Sequence, residues 1–271
     1  MKKRHLLSAV PLLAGVLLTQ FACSEETALP GAQPSSETEH LQVKPSAAQA
    51  DEKRFRQRLA AHPYFAGAPV KHIAPAALDG YWVVEIEGGM LLYVRDDIKY
   101  VLAGVLLEDD GQGQMTNHND LFLASIYKAA FQELKPGHYI SYRPEGTVKR
   151  VIYVFTDVHC PYCRAFHKEI PALNKAGVEV RYLAYPVISP RSPAHMTAIW
   201  CDGDPAAAMD RAKLKQKFSE NSDCPDTAIK QGTHLAQKLG LNGTPAVYTD
   251  SAIQLGAYMK AEEILERLGL R

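Results

Sequence analysis

The residues best suited to chemistry lie in FTDVHCPYCRAFH, Phe155 to His167. Cys160 and Cys163 stand three apart, with Pro161 and Tyr162 between them and His159 and His167 on either side. Three kinds of chemistry suit such a pair: thiol–disulfide exchange, half of a metal site, or a structural crosslink. A metal would need two further ligands, usually a second C-x-x-C or an H-x₃₋₅-H. His159 is adjacent to the motif, and Cys201 and Cys224 are 23 apart without pair spacing. The sequence therefore assigns no metal and no cofactor.

Exchange requires an acidic attacking thiol and a less exposed resolving thiol behind it. The apolar run before the motif reads as a strand and the residues after it as a helix. Pro161 falls in the first helical turn, where its missing N–H costs nothing. The Cys160 sulfur is thereby placed at a helix N-terminus, where backbone N–H groups and the macrodipole favour the thiolate. Cys163, one turn further in, is placed to resolve a mixed disulfide. His159 has two readings: a protonated imidazole that stabilises the Cys160 thiolate, or a solvent-facing side chain without effect. His167 reads as a surface or packing residue.

The compartment must permit disulfides, and the start of the chain supplies one that does. MKKRH is a positive n-region and Leu6 to Leu18 a mostly apolar h-region, too short for a membrane-spanning helix. Residues 1–22 read as a signal peptide. Cys23, directly after Ala22, makes a lipoprotein-type signal and a lipid anchor the expectation; an ordinary secretory signal is the alternative. Residues 23–50 are Ser, Thr, Glu, Pro, Ala and Gln with little to bury, and read as a flexible tether. Loss of residues 1–22 lowers Lys plus Arg from 30 to 27 against 30 Asp and Glu, a net charge of −3. With no basic run, nucleic acid is excluded as a partner.

Of the five cysteines, Cys23 belongs to the anchor and four remain, which allow three connectivities. With Cys160 and Cys163 as the exchanging pair, Cys201 and Cys224 fit a structural disulfide bracketing a helical segment, which an oxidising compartment permits.

Residues 51–116 begin with a short amphipathic helix, Asp51 to Leu59. Three alternating stretches follow, Tyr81 to Glu87, Met90 to Asp97 and Lys99 to Asp109, and read as antiparallel strands with one buried face. So small a unit needs a partner surface: the second domain, or another subunit across an open sheet edge. Asp110 to Asp120 breaks the pattern. Residues 117–136 hold a linker helix, Leu121 to Lys135, with Asn119 or Asp120 as N-cap and Pro136-Gly137 as the stop. Residues 137–271 alternate: two strands, one helix over CRAFHKEIPALNKAG, a strand, a long helical section, a hairpin and a closing helix. This α/β order is that of a thioredoxin fold with a helical insertion.

FTDVHCPYC, RAFHKEI, VRYLAYP, AIWC with a second cysteine at 224, and LGLNGTPAVY together resemble the DsbC/DsbG family of periplasmic disulfide isomerases. The likeness runs from about Asp51 to the end, and the Gly-Thr-Pro motif starting 83 residues after Cys160 is its most specific element. The resemblance implies a dithiol at Cys160 and Cys163 and a cis-proline at Pro245. Thr244 then offers its backbone to a substrate segment beside the CPYC turn, with Pro161 and Tyr162 also in contact. It further implies a small cystatin-like α+β domain that pairs two subunits, a Gram-negative periplasmic location, chaperone activity, and a DsbD-like membrane reductase as electron donor. CPYC is DsbG-like, whereas Cys201/Cys224 and the surrounding wording are closer to DsbC.

The function expected is reshuffling or reduction of wrong disulfides in misfolded exported proteins. The same fold also admits a DsbG-like reductase of sulfenylated cysteines or a thiol oxidase. A third class is a non-catalytic, lipid-anchored periplasmic chaperone that uses a cleft but not the thiols.

Overall fold

The structure is a computed structural model and describes residues 47–113, 115–217 and 223–270. The expected signal peptide, the lipidation candidate Cys23 and most of the expected tether lie outside the described residues.

The described chain opens with α1 (Ala47–Ala61), which begins inside the stretch assigned to the tether. It is followed by β1 (Val70–Pro75), β2 (Tyr81–Ile86), β3 (Leu91–Arg95) and β4 (Val101–Ala103), an antiparallel sheet in the order β1-β2-β3-β4. Phe55 and Leu59 of α1 pack on Ile73, Trp82, Val84, Leu92 and Val94 of this sheet, with Phe55 stacked on Trp82. The opposite face holds Val83, Leu91 and Tyr93. A second, two-stranded sheet pairs β5 (Leu107–Asp109) with β6 (Met115–Asn117).

Lys99 to Asp109 therefore forms two short strands in different sheets, not one. The break at Gly104 to Leu106 is held by Asn119, whose Nδ2 donates to Gly104 O and whose Oδ1 accepts from Leu106 N, both at 3.0 Å. With Asn119 so occupied, the cap of α2 (His118–Gln132) is Asn117, which accepts from the N–H groups of Asn119 and Asp120. The expectation of a cap at Asn119 or Asp120 is corrected accordingly.

α2 is not a free arm. Ala124, Tyr127 and Phe131 bury one face of it against Tyr153, Phe155 and Tyr248. Tyr127 donates to Glu85 of β2 at 2.7 Å, with Lys238 O sharing the hydroxyl at 2.8 Å. One side chain thus ties the small sheet to the second domain.

That domain contains β7 (Ile140–Tyr142), β8 (Arg150–Thr156), α3 (Pro161–His167), α4 (Ile170–Lys175), β9 (Val178–Ala184), α5 (Ser192–Trp200), α6 (Pro205–Lys213), α7 (Thr227–Lys238), β10 (Ala246–Thr249), β11 (Gln254–Gly256) and α8 (Ala261–Arg267). Its sheet runs β11-β10-β8-β9-β7, with β8 and β9 parallel and the other pairs antiparallel. This is a thioredoxin-like fold. β8 is central and apolar on both faces, as a strand covered on both sides must be. Ile152 and Val154 enter one core, Tyr153 and Phe155 the other. The helix expected from Cys163 to Gly177 is broken into α3 and α4 around Lys168 and Glu169, with Pro171 inside the first turn of the second piece.

Gly232 lets α7 lie directly on β9. A Cβ there would stand 2.3 Å from Ala184 O, far inside contact. Gly232→Ala is expected to destabilise the protein by about 2–3 kcal/mol through overpacking, more than the ~1 kcal/mol gained in helix propensity. Urea unfolding followed by circular dichroism would show the midpoint falling.

Candidate active site

β8 ends at Thr156, and the turn after it carries the dithiol. Cys160 caps α3 with an extended backbone, its Sγ accepting from Cys163 N at 3.4 Å, and Pro161 occupies the first helical turn. As a thiol, Cys160 donates to Thr244 O at 3.1 Å. The Thr244–Pro245 peptide is cis, and the Thr244 carbonyl, two residues before β10, faces the sulfur. The sequence-predicted residues Cys160, Cys163, Pro161, Thr244 and Pro245 are thereby brought together at one end of β8 and β10.

The two thiols are unequal. Both are buried, Cys160 at 2% and Cys163 at 0% exposure, and both are free; what separates them is acidity. A hydrogen bond from Cys163 draws the Cys160 thiol well below its ordinary pKa against the cost of burial, with help from the N–H groups of Tyr162 and Cys163. Burial, and then the bond to Cys160, pushes the Cys163 thiol up. An acidic thiol in front of a reluctant one is the asymmetry that exchange needs.

His159 follows neither sequence reading. Its Nε2 lies 3.0 Å from His195 Nδ1, so it is engaged by a residue of α5 rather than facing solvent alone. Burial lowers its pKa, opposed by Asp157 and helped by His195, Arg191 and Arg164. The ring is therefore neutral at neutral pH and lends no charge to the thiolate. His167 is a packing residue: it stacks on Tyr182 and its Nε2 lies 3.2 Å from Asp210 Oδ1. Tyr162 is 65% exposed beside Tyr258, and Val187 and Ile188 are also exposed.

Asp157 organises the site, and sequence reading passed over it. The fully buried carboxylate accepts from His159 N at 2.7 Å, Ser192 Oγ at 2.9 Å and Ile188 N at 2.8 Å. It thus ties the CPYC turn to the chain between β9 and α5. The available signal was an acid ending an apolar strand, a position where a short carboxylate caps loop N–H groups.

Cys201 and Cys224 form a disulfide with Cα atoms 6.0 Å apart, as expected, joining the end of α5 to the segment before α7. Replacing both by Ser is expected to cost about 3 kcal/mol by the loop-closure estimate. Denaturant titration with and without a reductant measures it. Among the described residues no three His, Cys, Asp or Glu side chains cluster as a metal site would require, and no helix is long and apolar enough to cross a membrane.

Residues 46–117 match the family described as the disulfide bond isomerase protein N-terminal domain, and residues 143–270 match the thioredoxin-like domain. The thiol:disulfide interchange protein DsbC of Escherichia coli is 32% identical over 223 residues, which span 82% of this chain and 89% of that one. The chain belongs to the DsbC family. DsbC of Salmonella typhimurium is likewise 32% identical, over 80% of this chain and 86% of its own. Among solved structures, a disulfide interchange protein from Neisseria gonorrhoeae superposes with a TM-score of 0.44 at 24% identity, covering 49% of this chain and 97% of that one. This DsbC-family chain is thus a thiol–disulfide oxidoreductase in which a thioredoxin-like domain follows the family's N-terminal domain.

Proposed function

We propose that this protein is a periplasmic disulfide isomerase and reductase that works as a homodimer on exported proteins with wrong disulfides. The observation that carries the reading is the Cys160 sulfur, held at the N-cap of α3 against Thr244 with Cys163 buried behind it. The Cys160 thiolate attacks a substrate disulfide, bonds one sulfur and releases the other as a thiolate. A substrate thiolate then displaces Cys160, which is isomerisation, or Cys163 does, which is reduction. Reduction leaves Cys160–Cys163 oxidised and in need of a dithiol donor, a DsbD-like membrane reductase. A depressed Cys160 pKa favours the reduced, ready form.

Exposed Tyr162, Val187 and Ile188 suit extended, partly unfolded substrates, and the Thr244 backbone suits pairing with their main chain. The same apolar surface supports chaperone activity. Dimerisation is supported by β4, an edge strand of the small sheet. On and beside it Tyr100, Leu102, Val105, Leu107 and Met115 are exposed, a surface that a monomer ordinarily blunts. Cys23 is proposed as the lipid-bearing residue that holds the chain at a membrane.

The test is reactivation of scrambled RNase in a defined thiol buffer, by the chain without residues 1–22 and with Cys23→Ser. Strong reactivation that fails when Leu102→Lys makes the protein monomeric is the expected result. A reduced dimer that reactivates nothing would refute the isomerase reading and favour sulfenic-acid reduction or thiol oxidation.

A further inference from the structure

Lys213, at the C-terminal end of α6, is 3% exposed. Its Nζ donates to Thr156 Oγ1 and to Asp157 O, both at 2.8 Å, and stands 5.7 Å from the ring centre of Tyr182. Among the described residues no carboxylate lies within ion-pair distance of it. A buried ammonium with only neutral oxygens as partners is costly, and packing alone gives no reason for a lysine there. Thr156 also acts on the Cys163 thiol, lowering its pKa against burial, so one hydroxyl lies between the buried amine and the resolving sulfur.

Resting on the exchange reading above, we propose that Lys213, acting through Thr156, accepts the proton that Cys163 must lose to resolve the mixed disulfide. A hydroxyl can donate and accept at once. With Lys213 neutral, Thr156 donates to Nζ and accepts from the Cys163 S–H. Transfer along this line leaves a Cys163 thiolate facing the Thr156 hydroxyl and a protonated Lys213. The thiolate attacks Cys160 Sγ, the Cys160–Cys163 bond forms, and the bond to the substrate sulfur breaks. Its electron pair leaves on the substrate thiolate, which is protonated by solvent. The substrate is reduced and the enzyme dithiol oxidised. When a donor dithiol reloads the enzyme, Cys163 leaves as a thiolate and Lys213 returns the proton.

The groups facing Lys213 are Cys160, Cys163, Arg164 and His167 of α3 and its cap, Asp157 after β8, and Tyr182 of β9. Burial, opposed by the two sulfurs and Asp157, lowers its pKa to about 8. At that value an amine both accepts and returns a proton at physiological pH.

The test is single-turnover stopped flow with a fluorescent peptide disulfide. Cys163→Ser halts at the mixed disulfide and reports the attack step; the full dithiol reports release. In the unmodified dithiol, release should rise through pH 8. Lys213→Met and Lys213→Arg should each slow release at pH 7 about a hundredfold, far more than attack, and remove that inflection. Arg keeps the charge and donors but cannot take a proton, so it separates proton transfer from charge and from structure. Thr156→Val should behave like Lys213→Met, and Thr156→Ser should restore release. Lys213→Arg and Thr156→Val proteins that release at the original rate with the original pH profile would overturn the proposal. No mixed disulfide in Cys163→Ser would instead overturn the exchange reading on which it rests.

Discussion

Cys160→Ala is expected to lower thiol exchange to the background of the buffer thiols, in scrambled-RNase reactivation and in reduction of peptide disulfides alike. Among the described residues no other sulfur can replace it: Cys163 is buried with a raised pKa, and Cys201 and Cys224 are paired. Suppression of aggregation should survive the substitution, because the apolar surface is untouched. Retained exchange would mean that another group is the nucleophile.

The same thiol sets a pH dependence. Because its pKa is depressed in the fold, alkylation of Cys160 by iodoacetamide should already be fast at pH 7 and fall only toward acid. Stability follows in the same sense. The folded pKa lies below the unfolded thiol value of about 8.5, so Cys160 stabilises the reduced protein fully above that value. The contribution is lost as pH falls through the folded pKa. The stability gap between reduced wild type and Cys160→Ser should therefore be wide at pH 9 and narrow toward pH 5, as read by urea titration. A gap that widened toward acid would contradict the assignment.

Asp157→Ala is expected to be the most damaging change outside the cysteines, at about 3–5 kcal/mol. It strips three donors, His159 N, Ser192 Oγ and Ile188 N, of their acceptor. It also removes the negative charge that raises the pKa of buried Lys213. Asp157→Asn keeps an acceptor and should cost less. Exchange should fall along with stability, since the freed turn is the one that sets Cys160 at its cap. Chemical denaturation and RNase reactivation on the same samples would measure both, and an Ala variant as stable as wild type would remove Asp157 from its organising role.

The catalytic half was readable because its signals are strong and local. β8 and β9 are apolar runs of the length a doubly covered strand needs, the CPYC motif sits on a strand-to-helix turn, and Thr244-Pro245 precedes a strand. Weaker signals were lost. β1, VKHIAP, buries only Ile73 and ends in proline, so its alternation is too short to register. The split of Lys99 to Asp109 is set by Asn119, a contact 13 residues away from Leu106 that no local pattern contains. Lys213 was hidden by its type, because lysine reads as solvent-facing. Its position says otherwise: it continues the buried side of α6 formed by Ala208, Met209 and Ala212. A charged residue in line with an apolar stripe was the clue to it.

The Cys201–Cys224 bond has a consequence for the life history of the chain. It links the end of α5 to the segment before α7, around the helix that carries Lys213, so the folded molecule contains one sulfur pair that must be shut and another that must stay open. A newly made chain needs an oxidant for the first pair and a reductant for the second. It is a client of disulfide formation before it can serve as the corrector of anyone else's.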